Sequence, residues 1–336
     1  MKKRTSLLLL ILVFTLVLSA CGSNSNNGSK NDSGQTVLKY SFPDGSISLP
    51  ELAEDLGFLE NIKLEKVATT GNGPEQIQLA ATKEIDYAYA FNGAVVKAIA
   101  EGVPIKAVAG AYGTNEIVTS GLYVLDDSPI KTAKDLIGKK IGVNVLGAQA
   151  EFITVQYLKN EGLTPEEIKQ VQLVVIPYQT SEQTLRSNQV DVVRIGDLVK
   201  EKALENGGIR ELTNDLELLG HGFTGGSYSF TTNFIEKNPE VVKSFVDGVA
   251  KAIEWTQTSS REEVISRMEN IIKNRNANES YENAQYWKST GLPETSGSMT
   301  DDEWNLWINY LVEDGQIDSI EPSQVYTNEF NSVFNK

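Results

Sequence analysis

Few residues in this chain could do covalent chemistry. There is one histidine, His221, and one cysteine, Cys21. A Ser-His-Asp or Cys-His arrangement would have to use His221. That residue sits in Leu219-Gly220-His221-Gly222, which reads as a turn and predicts a solvated loop histidine. A zinc site would lack its usual ligands, no Gly-x-x-x-x-Gly-Lys-Ser/Thr loop is present, and nothing in the composition asks for a metal or a cofactor. A lone cysteine leaves no intrachain disulfide. The residue types suit binding better than catalysis. Arg194 is unusual near the end of the apolar run from Val190 to Ile195. A guanidinium there could clamp a carboxylate, sulfonate or phosphate through two parallel N–H bonds. Its alternatives are a surface arginine or a salt bridge to Asp197 or Asp44.

Cys21 belongs to a different chemistry. Lys2, Lys3 and Arg4 form a basic start, and Leu7 to Leu18 is an apolar run broken only by Thr15. A spanning helix needs about 20 apolar residues, so this shorter run predicts a signal peptide over residues 1–20. The following Leu18-Ser19-Ala20-Cys21-Gly22 resembles the lipobox of bacterial lipoproteins. That resemblance implies lipidation of Cys21 and cleavage before it; the alternative is a plain signal peptide with an incidental cysteine. Gly22 to Thr36 is nearly all Gly, Ser, Asn, Lys and Asp. With nothing apolar to bury it predicts a flexible tether, 21–36, reaching at most about 50 Å. The net charge of −15 disfavours nucleic acid and anionic lipid. The expectation is a protein on the extracytoplasmic face of the cell membrane, held there by its lipid alone.

The body from Val37 onward, with 40% apolar residues in the chain, is long enough for two domains. Short apolar runs alternate with amphipathic stretches, which predicts α/β layering with largely parallel sheets. Strands are expected at Val37 to Phe42, Ile62 to Val67, Ile85 to Ala90, Ile105 to Ala109, Leu122 to Leu125, Ile141 to Val145, Val171 to Ile176 and Val190 to Ile195. Helices are expected from Leu49, Pro74, Ala94, Gln149, Thr164, Ser181 and Asp197. Leu79 to Asp86 and Leu185 to Asp191 pass from helix to strand with an acid just inside the strand. Such an echo suggests two lobes on one plan. After Thr232 the pattern is helical, from Asn238, Arg261 and Thr300. Trp304, Trp307, Ile308 and Leu311 share a helix face, read as core packing.

Three segments then point to a family: Ile130 to Val143 (IKTAKDLIGKKIGV), Gln189-Val190-Asp191, and Asn238-Pro239-Glu240-Val241-Val242. In order and spacing they resemble the substrate-binding proteins of ABC importers, in the nitrate, sulfonate, taurine and thiamine-precursor branch, over Val37 to Thr256. The resemblance implies a two-lobe, type II periplasmic-binding-protein fold with a helical C-terminal part. Lobe one would be 37–127 plus 231–336 and lobe two 128–226, with crossovers at 122–126 and 226–232. It implies a small-molecule solute as ligand, an ABC permease with its ATPase as partners, no nucleic acid, and a monomer that is not an enzyme.

The family's cleft is built from loops after strands, where open α/β sheets bind ligands. Mapped here, the resemblance selects Phe42, Asp44, Gly45, Ser46, Asn72, Phe91, Asn92, Tyr112, Gly147, Ala148, Gln149, Tyr178, Thr180, Arg194, Asp197 and Tyr228. Helix N-termini at Ser46, Asn92 and Ala148 would offer backbone N–H groups to an anion. Phe42, Phe91, Tyr112, Tyr178 and Tyr228 could line a pocket for a ring, or pack in the cores. The chain departs from the pattern at Ala148-Gln149, where many members carry a hydroxyl pair, and at Gly196, where many carry Trp. The expected ligand is a sulfonate or taurine-like anion, a pyrimidine or an aromatic acid. The alternatives are a lipoprotein sensor and an enzyme like the pyrimidine synthases of this fold.

Overall fold

Local chemistry sets where the elements begin. The computed structural model describes residues 30–31, 34–276, 278–294 and 296–334, so the expected signal peptide and Cys21 lie outside the described residues. Helices of seven or more residues are α1 Leu49–Asp55, α2 Gly73–Ala81, α3 Asn92–Ala100, α4 Gln149–Asn160, α5 Asp197–Glu205, α6 Pro239–Thr258, α7 Arg261–Arg275 and α8 Asp301–Glu313. Helix α8 starts where Glu303 N donates to the Thr300 hydroxyl at 3.3 Å and the Glu303 carboxylate accepts from Thr300 N at 2.9 Å. That reciprocal pair satisfies two otherwise orphaned donors. Ser48 and Glu51 cap α1 in the same way.

The strands are β1 Thr36–Ser41, β2 Ile62–Ala68, β3 Tyr87–Phe91, β4 Ile105–Thr114, β5 Gly121–Leu125, β6 Lys140–Val143, β7 Gln172–Val175, β8 Val192–Ile195, β9 Ile209–Asn214 and β10 Phe223–Thr231. One sheet has the order β7-β6-β8-β5-β9; the others are β1-β2 and β3-β10-β4. The last two meet edge to edge. Lys39 N donates to the Asp86 carboxylate at 2.6 Å, and Asp86 N donates to Lys39 O at 2.8 Å. Lys140 and Asp191 make the same exchange in the other sheet, at 2.9 Å each. Lys83 and Asn188, each three residues before its aspartate, both take positive φ, 67° and 55°. The helix-to-strand echo is therefore one hydrogen-bonding device used twice. Continued across the Lys39–Asp86 junction, the order becomes β2-β1-β3-β10-β4, matching that of the five-stranded sheet. This is the two-lobe α/β architecture of periplasmic binding proteins.

The expectation of largely parallel sheets fails at β5 and β10. Both run antiparallel to both neighbours. Each arrives from the opposite half of the molecule, so no βαβ crossover dictates its direction. Strand β9 and the short helix Asp215–Leu219 were not expected. The alternation Ile209, Glu211, Thr213 puts charge and hydroxyl where a buried strand face would be apolar. The end of the expected tether also has structure: Lys30 bridges to Thr36, and Gly34 N donates to Asn31 O at 2.9 Å.

The five-stranded sheet is covered on both faces. Leu122, Val124, Ile141 and Val192 pack on one side with Ala150 and Leu158 of α4. Tyr123, Val193 and Ile195 pack on the other with Val199 and Ala203 of α5. The α8 stripe is core, as expected: Trp304 and Trp307 have no exposed surface. Trp307 meets Phe91 and Phe152 edge-on, each at 4.7 Å between ring centroids, and Phe223 at 5.5 Å. Phe152 comes from α4, so this cluster joins α8 to the five-stranded half. Among the described residues no helix is long and apolar enough to cross a membrane.

Trp307→Ala should cost about 3–5 kcal/mol of stability, the usual loss for emptying a buried aromatic site. Urea unfolding followed by circular dichroism measures it, and a loss below about 1 kcal/mol would contradict this role.

Candidate functional site

Between the two sheets lies a cavity of about 310 Å³. Its walls come from loops at strand ends in both halves and from the segment after α7. Period-two alternation explains the placement of Arg194. Val193 and Ile195 face α5, so Arg194 faces the same way as Val192, toward α4. One residue before the strand ends, that direction opens into the cavity.

Arg194 is only 8% exposed, and its Nε and Nη2 are buried without a hydrogen-bond partner. Nη2 lies 3.9 Å from the Asp215 carboxylate, which has no exposed surface. Asp215 is held in turn by the Thr114 hydroxyl at 2.8 Å and Ser120 N at 3.0 Å. Burial pushes the Asp215 carboxyl up, and Arg194 with these donors pulls it back. Among the described residues Arg194 is thus neither a surface arginine nor ion-paired with Asp197 or Asp44, the latter pairing with Lys66 at 2.6 Å.

Asp197 opens α5 on the same wall with φ 47°. Among the described residues its carboxylate accepts no hydrogen bond. It is open to the cavity, yet protein crowds it on most sides. That loss of water raises its pKa above the ordinary carboxylate range, and Arg194 opposes the rise. Gly196 before it could carry no side chain, because a Cβ would fall 1.9 Å from the Ser120 hydroxyl. The Tyr178 hydroxyl spans both backbone groups of Gly196, accepting from N at 3.0 Å and donating to O at 2.9 Å.

An aromatic wall faces these charges. Tyr89 packs against Phe42 at 5.1 Å, Tyr112 at 5.2 Å and Tyr228 at 5.8 Å. Burial raises the pKa of Tyr89 and Tyr112, so both phenols stay protonated and can donate. Tyr228 is mostly core, only 1% exposed, with its hydroxyl accepting from Leu49 N at 3.2 Å.

The lining includes Phe42, Gly45, Ser46, Phe91, Tyr112, Ala148, Gln149, Tyr178, Arg194, Asp197 and Tyr228 from the sequence-derived set. It leaves out Asp44, Asn72, Asn92, Gly147 and Thr180. Asn72 caps α2 by accepting from Glu75 N at 3.2 Å. Asn92 is fully buried and donates to Thr224 O at 3.0 Å. The Thr180 hydroxyl donates to Pro177 O at 3.1 Å, and Gly147 N donates to the Glu151 carboxylate at 2.8 Å. Ser46 does not begin a helix; α1 starts three residues later, after its cap at Ser48. Sequence reasoning missed Tyr89 and the wall formed by Asn283, Tyr286, Trp287 and Lys288. A signal existed in the last group: Tyr281, Tyr286 and Trp287 crowd a short stretch without helical spacing. Among the described residues no group of three or more His, Cys, Asp or Glu could hold a metal ion.

A family model described as NMT1/THI5 like matches residues 52–262. A curated relative from Haemophilus influenzae, named for thiamine biosynthesis, is 30% identical over 143 residues, 42% of this chain and 43% of that protein. The match thus spans less than half the length of that relative. The alkanesulfonate-binding protein SsuA from Xanthomonas axonopodis pv. citri, solved with MOPS bound, superposes with a TM-score of 0.68 at 16% identity, over 89% of this chain and 100% of that one. The desulfurization enzyme DSZB superposes with a TM-score of 0.61 at 16% identity, over 89% of this chain and 99% of that one. At such identities the likeness is one of fold.

Asp197→Asn should stabilise the protein at neutral pH. With the folded-state pKa raised, the unfolded chain ionises first as pH climbs past about 3.9, so stability is lost through that window and stays lost above it. Thermal unfolding from pH 3 to 8 should show little gain for the variant at pH 3 and a modest gain at pH 7, modest because the side chain is exposed to solvent in the cleft. An equal gain at both ends would assign the effect to the strained backbone instead.

Proposed function

Because the chain belongs to the NMT1/THI5-like family, we propose that it is an extracytoplasmic solute-binding protein of an ABC importer. It captures a small organic anion in the cleft and delivers it to a permease driven by an ATPase. Arg194 carries this reading: a nearly buried guanidinium that faces a cavity with two N–H groups unpartnered. Leaving such donors unmet costs about 1–3 kcal/mol each, and a carboxylate or sulfonate would meet two at once. Asp197, also unpartnered, suits a solute that carries a donor or a cationic group besides its anion, as a taurine-like molecule does. The Phe42, Tyr89 and Tyr112 rings suit an apolar or aromatic body, so an aromatic acid or pyrimidine is the second ligand class.

In this reading the lobes, 37–127 with 231–336 and 128–226, close around the solute, and lipid on Cys21 keeps the trap near its permease. The thiamine-biosynthesis name of one relative and the fold of DSZB motivate an enzyme as the competing reading. His221 speaks against it. It is exposed, its ring nitrogen meets Gly222 O at 2.8 Å, and among the described residues it is not part of the cavity lining.

A panel of taurine, alkanesulfonates, aromatic acids and pyrimidines should raise the melting temperature of the purified protein. A ligand at 100-fold over its Kd adds about 2.7 kcal/mol. Arg194→Gln should abolish the shift and His221→Gln should preserve it; a shift indifferent to Arg194 would sink the assignment. Separately, Cys21→Ala should release the protein from the membrane fraction of its host while leaving solute affinity unchanged. Reduced affinity would contradict a purely anchoring role.

A further inference from the structure

The segment between α7 and α8 lines part of the cavity and touches both halves of the molecule. On one side it is anchored firmly. Arg275 at the end of α7 ion-pairs with Glu51 and Glu279, both nearly buried, and donates to Ser46 O at 2.9 Å. Arg261 holds the carbonyls of Trp287, at 2.8 Å, and Gln285. Ala284 is fully buried against Val264 and Met268 of α7, with Trp287 packed on the same cluster. Farther on, Gly113 N donates to Thr290 O at 3.2 Å, and Gly113 and Gly291 cross so closely that a Cβ on Gly291 would fall 2.1 Å from Gly113 O. The segment is thus pinned to α7 at one end and to β4 at the other.

Its contacts with the five-stranded half are of another kind. Its side-chain hydrogen bonds and ion pairs there run to α5, the helix that begins with Asp197. The Tyr286 hydroxyl donates to Glu205 at 2.6 Å, Lys288 pairs with Glu201 at 2.6 Å, and Lys202 donates to Asn283 at 3.3 Å. These are polar side-chain pairs. Rim pairs of this kind each shift an equilibrium only a few-fold. Asn283, Trp287 and Lys288 also line the cavity, facing the wall that holds Arg194.

We propose that Glu282 to Thr290 is a recognition strap: it forms a third wall of the cleft, stays with α7 and β4, and seats on α5 through three polar pairs that set how long the cleft stays shut. The asymmetry of its contacts decides which side lets go. Opening breaks only exchangeable polar pairs, whereas leaving α7 would expose Ala284 and strip a buried ion network. Residues at the rim therefore tune solute residence and the fit of the solute's outer end without touching the anion clamp.

Hydrogen exchange read by mass spectrometry on the purified full chain, with no solute added, tests this independently of the proposed function. Glu201→Gln combined with Glu205→Gln should speed exchange about three- to tenfold in peptides covering 282–290 and the first turns of α5. Peptides from α7 should stay unchanged. Unaltered exchange over 282–290 would overturn the proposal. If the double variant exchanges faster everywhere, Tyr286→Phe decides: faster exchange confined to the strap and α5 supports the latch, and none refutes it.

Discussion

Asp215 is a carboxylate with no exposed surface, and the cleft is organised around what it binds. Taking such a group out of water costs several kcal/mol unless charge and hydrogen bonds replace the solvent. The replacements come from three places in the chain. Thr114 ends β4, Ser120 precedes β5, and Arg194 lies near the end of β8. Asp215 itself follows β9, a few residues before β10. One buried charge thus ties both passages between the halves to the guanidinium that faces the cavity. Arg194 is held near Asp215 but not saturated by it, since 3.9 Å is too long for a hydrogen bond. Its Nε and Nη2 are left without hydrogen-bond partners, and the residue lines the cavity.

The strand exchange explains why this knot sits where it does. Each sheet takes one strand, β5 or β10, from across the molecule. The passages must run side by side at the base of the cleft, and the loops at the strand ends converge above them. The Lys39–Asp86 and Lys140–Asp191 pairs fix the register of the other strands in the same way in both halves. Binding residues then need only suitable side chains at positions the architecture has already brought together. That is how a chain with many acidic residues can present a guanidinium to a solute: the local field of a shielded site outweighs distant, screened charge.

The two sides of the cleft differ in character. At one side the rings of Phe152, Trp307 and Tyr310 join the halves by apolar packing, with Phe152 and Tyr310 at 4.3 Å. At the other, the contacts from residues 282–290 to α5 are polar and exchangeable. Apolar packing is dense and tolerates little separation, whereas rim pairs can trade each other for water. The two sides of the cleft therefore resist separation by different physics.

The sequence by itself determined the local elements and the class of fold. Helix starts at Thr300 and Thr164, the stripe through Trp304 and Trp307, and the repeated acid at Asp86 and Asp191 depend on neighbours a few residues away, so periodicity and capping reveal them. That the chain holds a single histidine likewise needed only composition. What the tertiary structure alone decided depends on partners far apart in the chain. Asp215 and Thr114 are 101 residues apart, and no local pattern marks them as a pair. Strands β5 and β10 run antiparallel because of where they arrive from, which local spacing does not encode. Asn92 and Asn72, plausible as ligands by position, lie off the cavity lining, the first donating to Thr224 O and the second capping a helix. Trp287 and Lys288 read as an irregular stretch until α7 folds back and lays them over the cleft. Local order follows from short-range hydrogen bonding and burial; the site is a coincidence of strand ends, which only the folded chain creates.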